Sequence, residues 1–111
     1  MSGQKLQVDD ELLNEVTRRI CEAADPERII LFGSAATGDM DGDSDLDLLV
    51  LMNAPENTRQ ESMKIRRQLR GLGWPIDVLV MDAGRFDATK DIVGSLAFPA
   101  NRYGRVLYAV S

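Results

Sequence analysis

Apolar residues recur along this chain with two different periods, and the switches between them mark out its elements. Over residues 9–24, Leu12, Leu13, Val16, Ile20 and the pair Ala23 and Ala24 return every three or four positions, which is the spacing of one helical stripe. Asp9 or Asp10 can cap that helix, and Asp10 and Glu11 suit the positive end of its dipole. Asp25-Pro26 ends it, because the residue before a proline resists helical backbone. Residues 28–32 then read as a short buried strand that runs into Gly33-Ser34. A polar loop follows over 35–44, with a short helical turn at 35–37. From 45 to 52 the period falls to two. Asp45, Asp47, Leu49 and Leu51 share one face, and Leu46, Leu48 and Val50 share the other. Beyond Asp47 both faces are apolar, as in a central strand.

The second half repeats the alternation less sharply. Asn53-Ala54-Pro55 is a turn, and Thr58-x-x-Glu61 is a capping box that opens a helix over 58–72, closed by Gly71 and Gly73. A third strand is expected over 75–81, carrying Asp77. A weaker helix is expected over 82–96, with Phe86, Ile92, Val93 and Leu96 as its buried positions. Residues 99–104 read as a loop and 105–110 as a last short strand. The order α-β-β-α-β-α-β predicts an α/β (α+β) domain, with helices packed on a mainly mixed sheet of about four strands.

Composition narrows the setting. A length of 111 residues suits one domain with a real core, taken as 1–111. No apolar run approaches the roughly 20 residues needed to cross a bilayer, and Met1 to Lys5 lacks a signal-peptide apolar region. The single cysteine, Cys21, cannot form an internal disulfide, so a reducing cytoplasm is the expected location. A net charge of −5 argues against broad nucleic-acid binding through a basic surface. The charge is uneven. Asp39, Asp41, Asp43, Asp45 and Asp47 crowd one stretch, whereas Arg59, Lys64, Arg66, Arg67 and Arg70 form a basic segment that reads as a solvated helix face. With no histidine in the chain, acid–base or metal chemistry must use carboxylates.

Two parts of such chemistry are visible. Gly33-Ser34 is a small turn that can admit phosphates. Asp45 and Asp47, at i and i+2 on a strand, point the same way and can hold a divalent metal. Asp77 is a lone carboxylate in the apolar run Ile76-Asp77-Val78-Leu79-Val80, where burial without a partner is costly. It is expected at the open end of its strand beside Asp45 and Asp47, with a cation relieving their repulsion, or else as a strand-edge salt-bridge partner. Asp39 to Asp45 superficially matches a calcium loop, but no frame puts glycine sixth and a carboxylate twelfth. Asp39, Asp41 and Asp43 read as a solvated loop instead.

The combined pattern Gly33-Ser34-x-Ala36-x-Gly38 and Ser44-Asp45-x-Asp47-Leu48, followed by Asp77 on a later strand, resembles the nucleotidyltransferase superfamily related to DNA polymerase beta. Within it, the chain looks most like the minimal nucleotidyltransferase branch, over nearly its whole length. The resemblance implies a nucleotidyltransferase fold in which Gly33 and Ser34 hold a triphosphate. Asp45 and Asp47 would bind two Mg²⁺ ions, and Asp77 would bind the catalytic metal and help activate the acceptor hydroxyl. The implied reaction is in-line attack on the α-phosphate of a nucleoside triphosphate, ATP being the expected one, with release of pyrophosphate.

Larger relatives add a helical domain that holds the acceptor. A chain of this size is expected to rely on a partner to complete the site, in a homo- or hetero-oligomer. Small members of the family are typically paired with a helical HEPN-type toxin, so the resemblance implies an antitoxin that transfers AMP to its toxin. The alternatives are transfer to a small molecule such as an aminoglycoside, and an antitoxin that neutralises its partner by docking alone.

Overall fold

The computed structural model describes residues 10–33 and 45–110. Among the described residues the strands are β1 (Arg28–Phe32), β2 (Leu46–Met52), β3 (Ile76–Asp82) and β4 (Arg105–Ala109). They form one sheet in the order β3-β2-β1-β4. β1 runs antiparallel to both β2 and β4, and β2 runs parallel to β3, so the sheet is mixed. Parallel neighbours need a crossover, and here it is the helix α2 (Thr58–Gln68).

Helices cover both faces. α1 (Asp10–Ala23) and α2 supply Leu13, Val16, Ile20 and Ile65 to a core built on Ile29, Leu31, Leu46, Leu48, Val50, Val78 and Val80. On the other face, α3 (Ala83–Thr89) and α4 (Ala97–Tyr103) bring Ala83, Phe86, Ala97 and Ala100 against Ile30, Leu49 and Leu51. β2 therefore contributes its even-numbered residues to one core and Leu49 and Leu51 to the other, as its period-two pattern predicts. Burial of apolar area on both faces is the main driving force that holds this strand central.

Polar contacts fasten the helices to each other. Arg19 donates from Nη1 to the carbonyls of Gln68 and Arg70, at 3.2 and 3.0 Å, satisfying acceptors at the end of α2 that have no helical partner. Arg18 and then Arg19 hydrogen-bond Glu15 along α1 and hold its carboxyl down to about 2. At the far end of β3, Asp82 accepts from the backbone N–H of Arg85, capping α3, and from that of Ala54 in the turn after β2.

Several boundaries differ from the sequence expectation. α2 begins under a different cap: the Asn57 side chain, not the Thr58 box, accepts from the backbone N–H of Gln60 at 3.1 Å. The helix stops at Gln68 rather than residue 72, with Gly71 and Gly73 in the left-handed region beyond it. The helix expected over 82–96 is only α3. It ends at Thr89, and Ile92, Val93 and Leu96, expected to be buried, are exposed because the helical period that would turn them inward has stopped. Phe86 is buried as expected.

The expected loop at 99–104 is mostly α4 instead. Pro99 lies in its first turn, where the missing N–H has no helical acceptor to lose. Ser95 Oγ accepts from the N–H of Phe98 and donates to the carbonyl of Thr89, joining the start of α4 to the end of α3. The expected turn at 35–37 and the acidic loop of Asp39, Asp41 and Asp43 lie outside the described residues.

The observed cap is testable. Asn57→Ala is expected to cost about 1 kcal/mol, the usual loss for a side-chain N-cap, whereas Thr58→Ala should cost a few tenths at most. Urea denaturation of both variants checks this, and equal losses would restore Thr58 as the cap.

Candidate active site

The candidate site lies where the C-terminal end of β1 meets the N-terminal ends of β2 and β3. Antiparallel pairing of β1 with β2 sets Phe32 opposite Asp47. Parallel pairing of β2 with β3 sets Asp77 directly beside Asp47. A hydrogen bond of 2.9 Å from the N–H of Leu46 to the carbonyl of Pro75 ties the two strand entrances together. Strand alternation then puts Asp45, Asp47 and Asp77 on one side of the sheet, the side covered further along by α3 and α4.

Gly33 closes β1 with φ of +76°, in the left-handed region that favours glycine. A Cβ at this position would stand 2.5 Å from Asp47 Oδ2. The absence of a side chain is what lets the Gly33 backbone lie against the Asp47 carboxylate. The structure thus brings Gly33, Asp47 and Asp77 together. Asp45, exposed one residue ahead of β2, is near enough for its charge to act on Asp47. Ser34 lies outside the described residues.

Asp47 is the half-buried member of the set and has no hydrogen-bond donor among the described residues. Partial burial pushes its carboxyl above the ordinary range, and the negative charges of Asp77 and then Asp45 push it the same way. No like-charged arrangement of this kind favours the ionised state without a cation. The donors are carboxylate oxygens, which are hard ligands suited to Mg²⁺ or Mn²⁺, so the chemistry of the set fits a divalent ion. Among the described residues, however, no three acidic or thiol side chains converge into a formed cluster. Asp77 is the member with a cationic partner of its own. Its Oδ1 accepts from Arg66 Nη2 at 2.7 Å, so the strand-edge ion pair anticipated as an alternative is also present. Arg66 is a site neighbour that sequence reasoning missed. Its only signal was membership of the basic segment 59–70, which did not single it out.

A nucleotidyltransferase domain model matches residues 13–98. This chain belongs to the nucleotidyltransferase family. The matched stretch contains Gly33, Asp45, Asp47 and Asp77, together with all the strands but β4. A crystal structure of a proposed nucleotidyltransferase from Sulfolobus solfataricus is 28% identical, with a TM-score of 0.57 and 73% of each chain covered. A toxin–antitoxin structure with AMP-PNP superimposes with a TM-score of 0.66 at 17% identity, covering 89% of this chain and 74% of that one. A complex of tri-AMPylated Shewanella oneidensis HEPN toxin with MNT antitoxin gives 0.58 at 16% identity, covering 90% and 71%. At these identities the last two show a shared fold. No curated protein sequence matches the chain.

The raised pKa of Asp47 makes a signed prediction. A carboxyl whose folded value lies above its unfolded one contributes its full stability below the unfolded value and loses it as pH rises through the folded one. In metal-free buffer near neutral pH, Asp47→Asn should therefore melt no lower than the parent. Its advantage should shrink as the pH falls into the range where Asp47 protonates. Thermal melts with a chelator present, at neutral and mildly acidic pH, check both points. A variant that is clearly less stable at neutral pH would contradict the electrostatic account. Gly33→Ala should be destabilised by about 1–2 kcal/mol from its left-handed backbone alone, measured by the same melts.

Proposed function

We propose that this nucleotidyltransferase moves AMP from ATP onto a hydroxyl of a partner protein, with Mg²⁺, as the cytoplasmic antitoxin of a HEPN/MNT toxin–antitoxin pair. The observation that carries the reading is the register of Asp47 beside Asp77 with the Gly33 backbone pressed against Asp47. It is the arrangement a triphosphate-handling carboxylate site needs, inside a family-matched domain. Similarity of fold to toxin–antitoxin complexes, one with a tri-AMPylated HEPN toxin, supports the choice of partner and acceptor.

Each residue then has a defined task. Gly33 offers main-chain approach without a Cβ, and Ser34 a hydroxyl, to the triphosphate. Asp45 and Asp47 would hold two Mg²⁺ ions, with Asp77 as a further ligand. The chemistry such ions would supply there is charge stabilisation of the attacking and leaving oxygens. Asp77 accepts the proton of the incoming hydroxyl. The acceptor oxygen forms a bond to the α-phosphorus, the α–β bridging bond breaks, and pyrophosphate leaves with that electron pair. β1 and β2 keep Gly33 and Asp47 fixed, so the geometry requires little reorganisation at reaction.

The Arg66–Asp77 ion pair favours a second reading, in which the protein neutralises its partner by docking and the site is idle. Both readings are separated by supplying α-³²P-ATP and Mg²⁺ to the protein in a lysate of the source cells, beside an Asp45→Asn/Asp47→Asn control. Label on a protein band, absent from the control, is the expected result, and the band identifies the acceptor. Label on a small molecule would overturn the protein acceptor in favour of antibiotic-type chemistry. No label in the presence of the neutralised toxin would leave docking as the function.

A further inference from the structure

Arg66 reaches Asp77 from the opposite layer of the molecule. Its neighbour Ile65 is buried in the α1–α2 core, while Asp77 alternates with buried Val78 and so faces the other way. The contact is possible because β3 is an edge strand, and the long Arg66 side chain wraps around it. The same Nη2 donates to Asp77 Oδ1 at 2.7 Å and to the carbonyl of Val78 at 3.2 Å. The second bond anchors the guanidinium to the strand itself.

Asp47 and Asp77 stand side by side in register, and with no cation between them their charges repel. Arg66 meets Asp77 at the strand edge, where the ion pair offsets part of the Asp77 charge. We propose that Arg66 is a latch on Asp77 that competes with the divalent cation for this carboxylate and so sets the cation affinity of the site. This rests on the reading that Asp45, Asp47 and Asp77 hold the metal. The latch is weak by construction. Both partners are more than half exposed, at 53% and 61%, and an exposed ion pair holds its partners only loosely. A weak latch gives way to a divalent ion, whereas a buried one would keep the third ligand out of the site. When Asp77 turns inward, Arg66 keeps its bond to Val78.

The test is titration with Mn²⁺, followed by its electron paramagnetic resonance signal, on the parent chain, Arg66→Gln, Arg66→Lys and Arg67→Gln. Arg67 is exposed on the same helix and makes no bond to Asp77. Arg66→Gln is expected to bind Mn²⁺ about two- to fivefold more tightly, the factor matching one exposed ion pair. Arg66→Lys should fall between it and the parent, and Arg67→Gln should stay close to the parent. The rise in melting temperature on adding Mn²⁺ should be larger for Arg66→Gln than for the parent. Unchanged or weaker binding by Arg66→Gln would overturn the latch, the latter by showing that Arg66 orients Asp77 in the loaded site. An equal gain in Arg67→Gln would reduce the effect to general charge and overturn it too. If the parent binds no Mn²⁺, or binds it equally after Asp47→Asn, the metal reading itself fails and the latch falls with it.

Discussion

Burial of β2 on both faces is the constraint from which the site follows. Leu46, Leu48 and Val50 fill the core under α1 and α2, and Leu49 and Leu51 fill the core under α3 and α4. A slip of one residue against β1 or β3 would turn every one of these side chains over. It would drive Asp47 into the layer that holds Val16 and Ile20, where a carboxylate has no partner. The apolar run after Asp47 is therefore what holds the acids at the strand's entrance and on the correct side. The candidate chemistry depends on hydrophobic packing several residues away from it.

The acids of β3 show how the same residue type serves two ends. Asp82, at the far end, receives backbone N–H groups from Arg85 and Ala54 and ties the turn after β2 to α3. Such a carboxylate has its donors and serves the scaffold. Asp47, at the near end of the neighbouring strand, receives no donor among the described residues and is surrounded by like charge. An ionisable group left in that condition, at the mouth of a packed sheet, is the kind of perturbed residue that marks functional sites. The contrast is one of environment: the satisfied carboxylate holds the scaffold, and the unsatisfied one lies in the candidate site.

Legibility in the sequence followed the strength of the pattern. The stripe from Leu13 to Ile20 and the alternation from Leu46 to Met52 are long enough to specify both element and facing, and the structure agrees with them. The region after Asp82 was harder. Its apolar residues continue past Thr89, but the helix has already ended there and Gly94 later turns the chain with φ of +96°, so Ile92, Val93 and Leu96 lie outside any helix. Pro99 falls in the stretch expected as a loop, yet it is harmless in the first turn of α4, whose start Ser95 Oγ supports by accepting from the Phe98 N–H. Asn57 and Thr58 are both good caps, and only the backbone decides between them. The pairing of Asp77 with Asp47 was expressible as an expectation. The Arg66 contact was not, since it requires knowing that β3 is at the edge and that α2 lies within reach around it.

The parallel pairing of β2 with β3 also has a kinetic side. Asp47 and Asp77 become neighbours only after the chain between them has formed α2 and crossed the sheet, a non-local step that closes a long loop. Before that step the unfolded chain has acidic side chains but no paired arrangement of them. A cation held between the two strands would thus bind the completed fold in preference to earlier states and draw the folding equilibrium toward it. Assembly of the sheet and acquisition of the site are, for this chain, the same event.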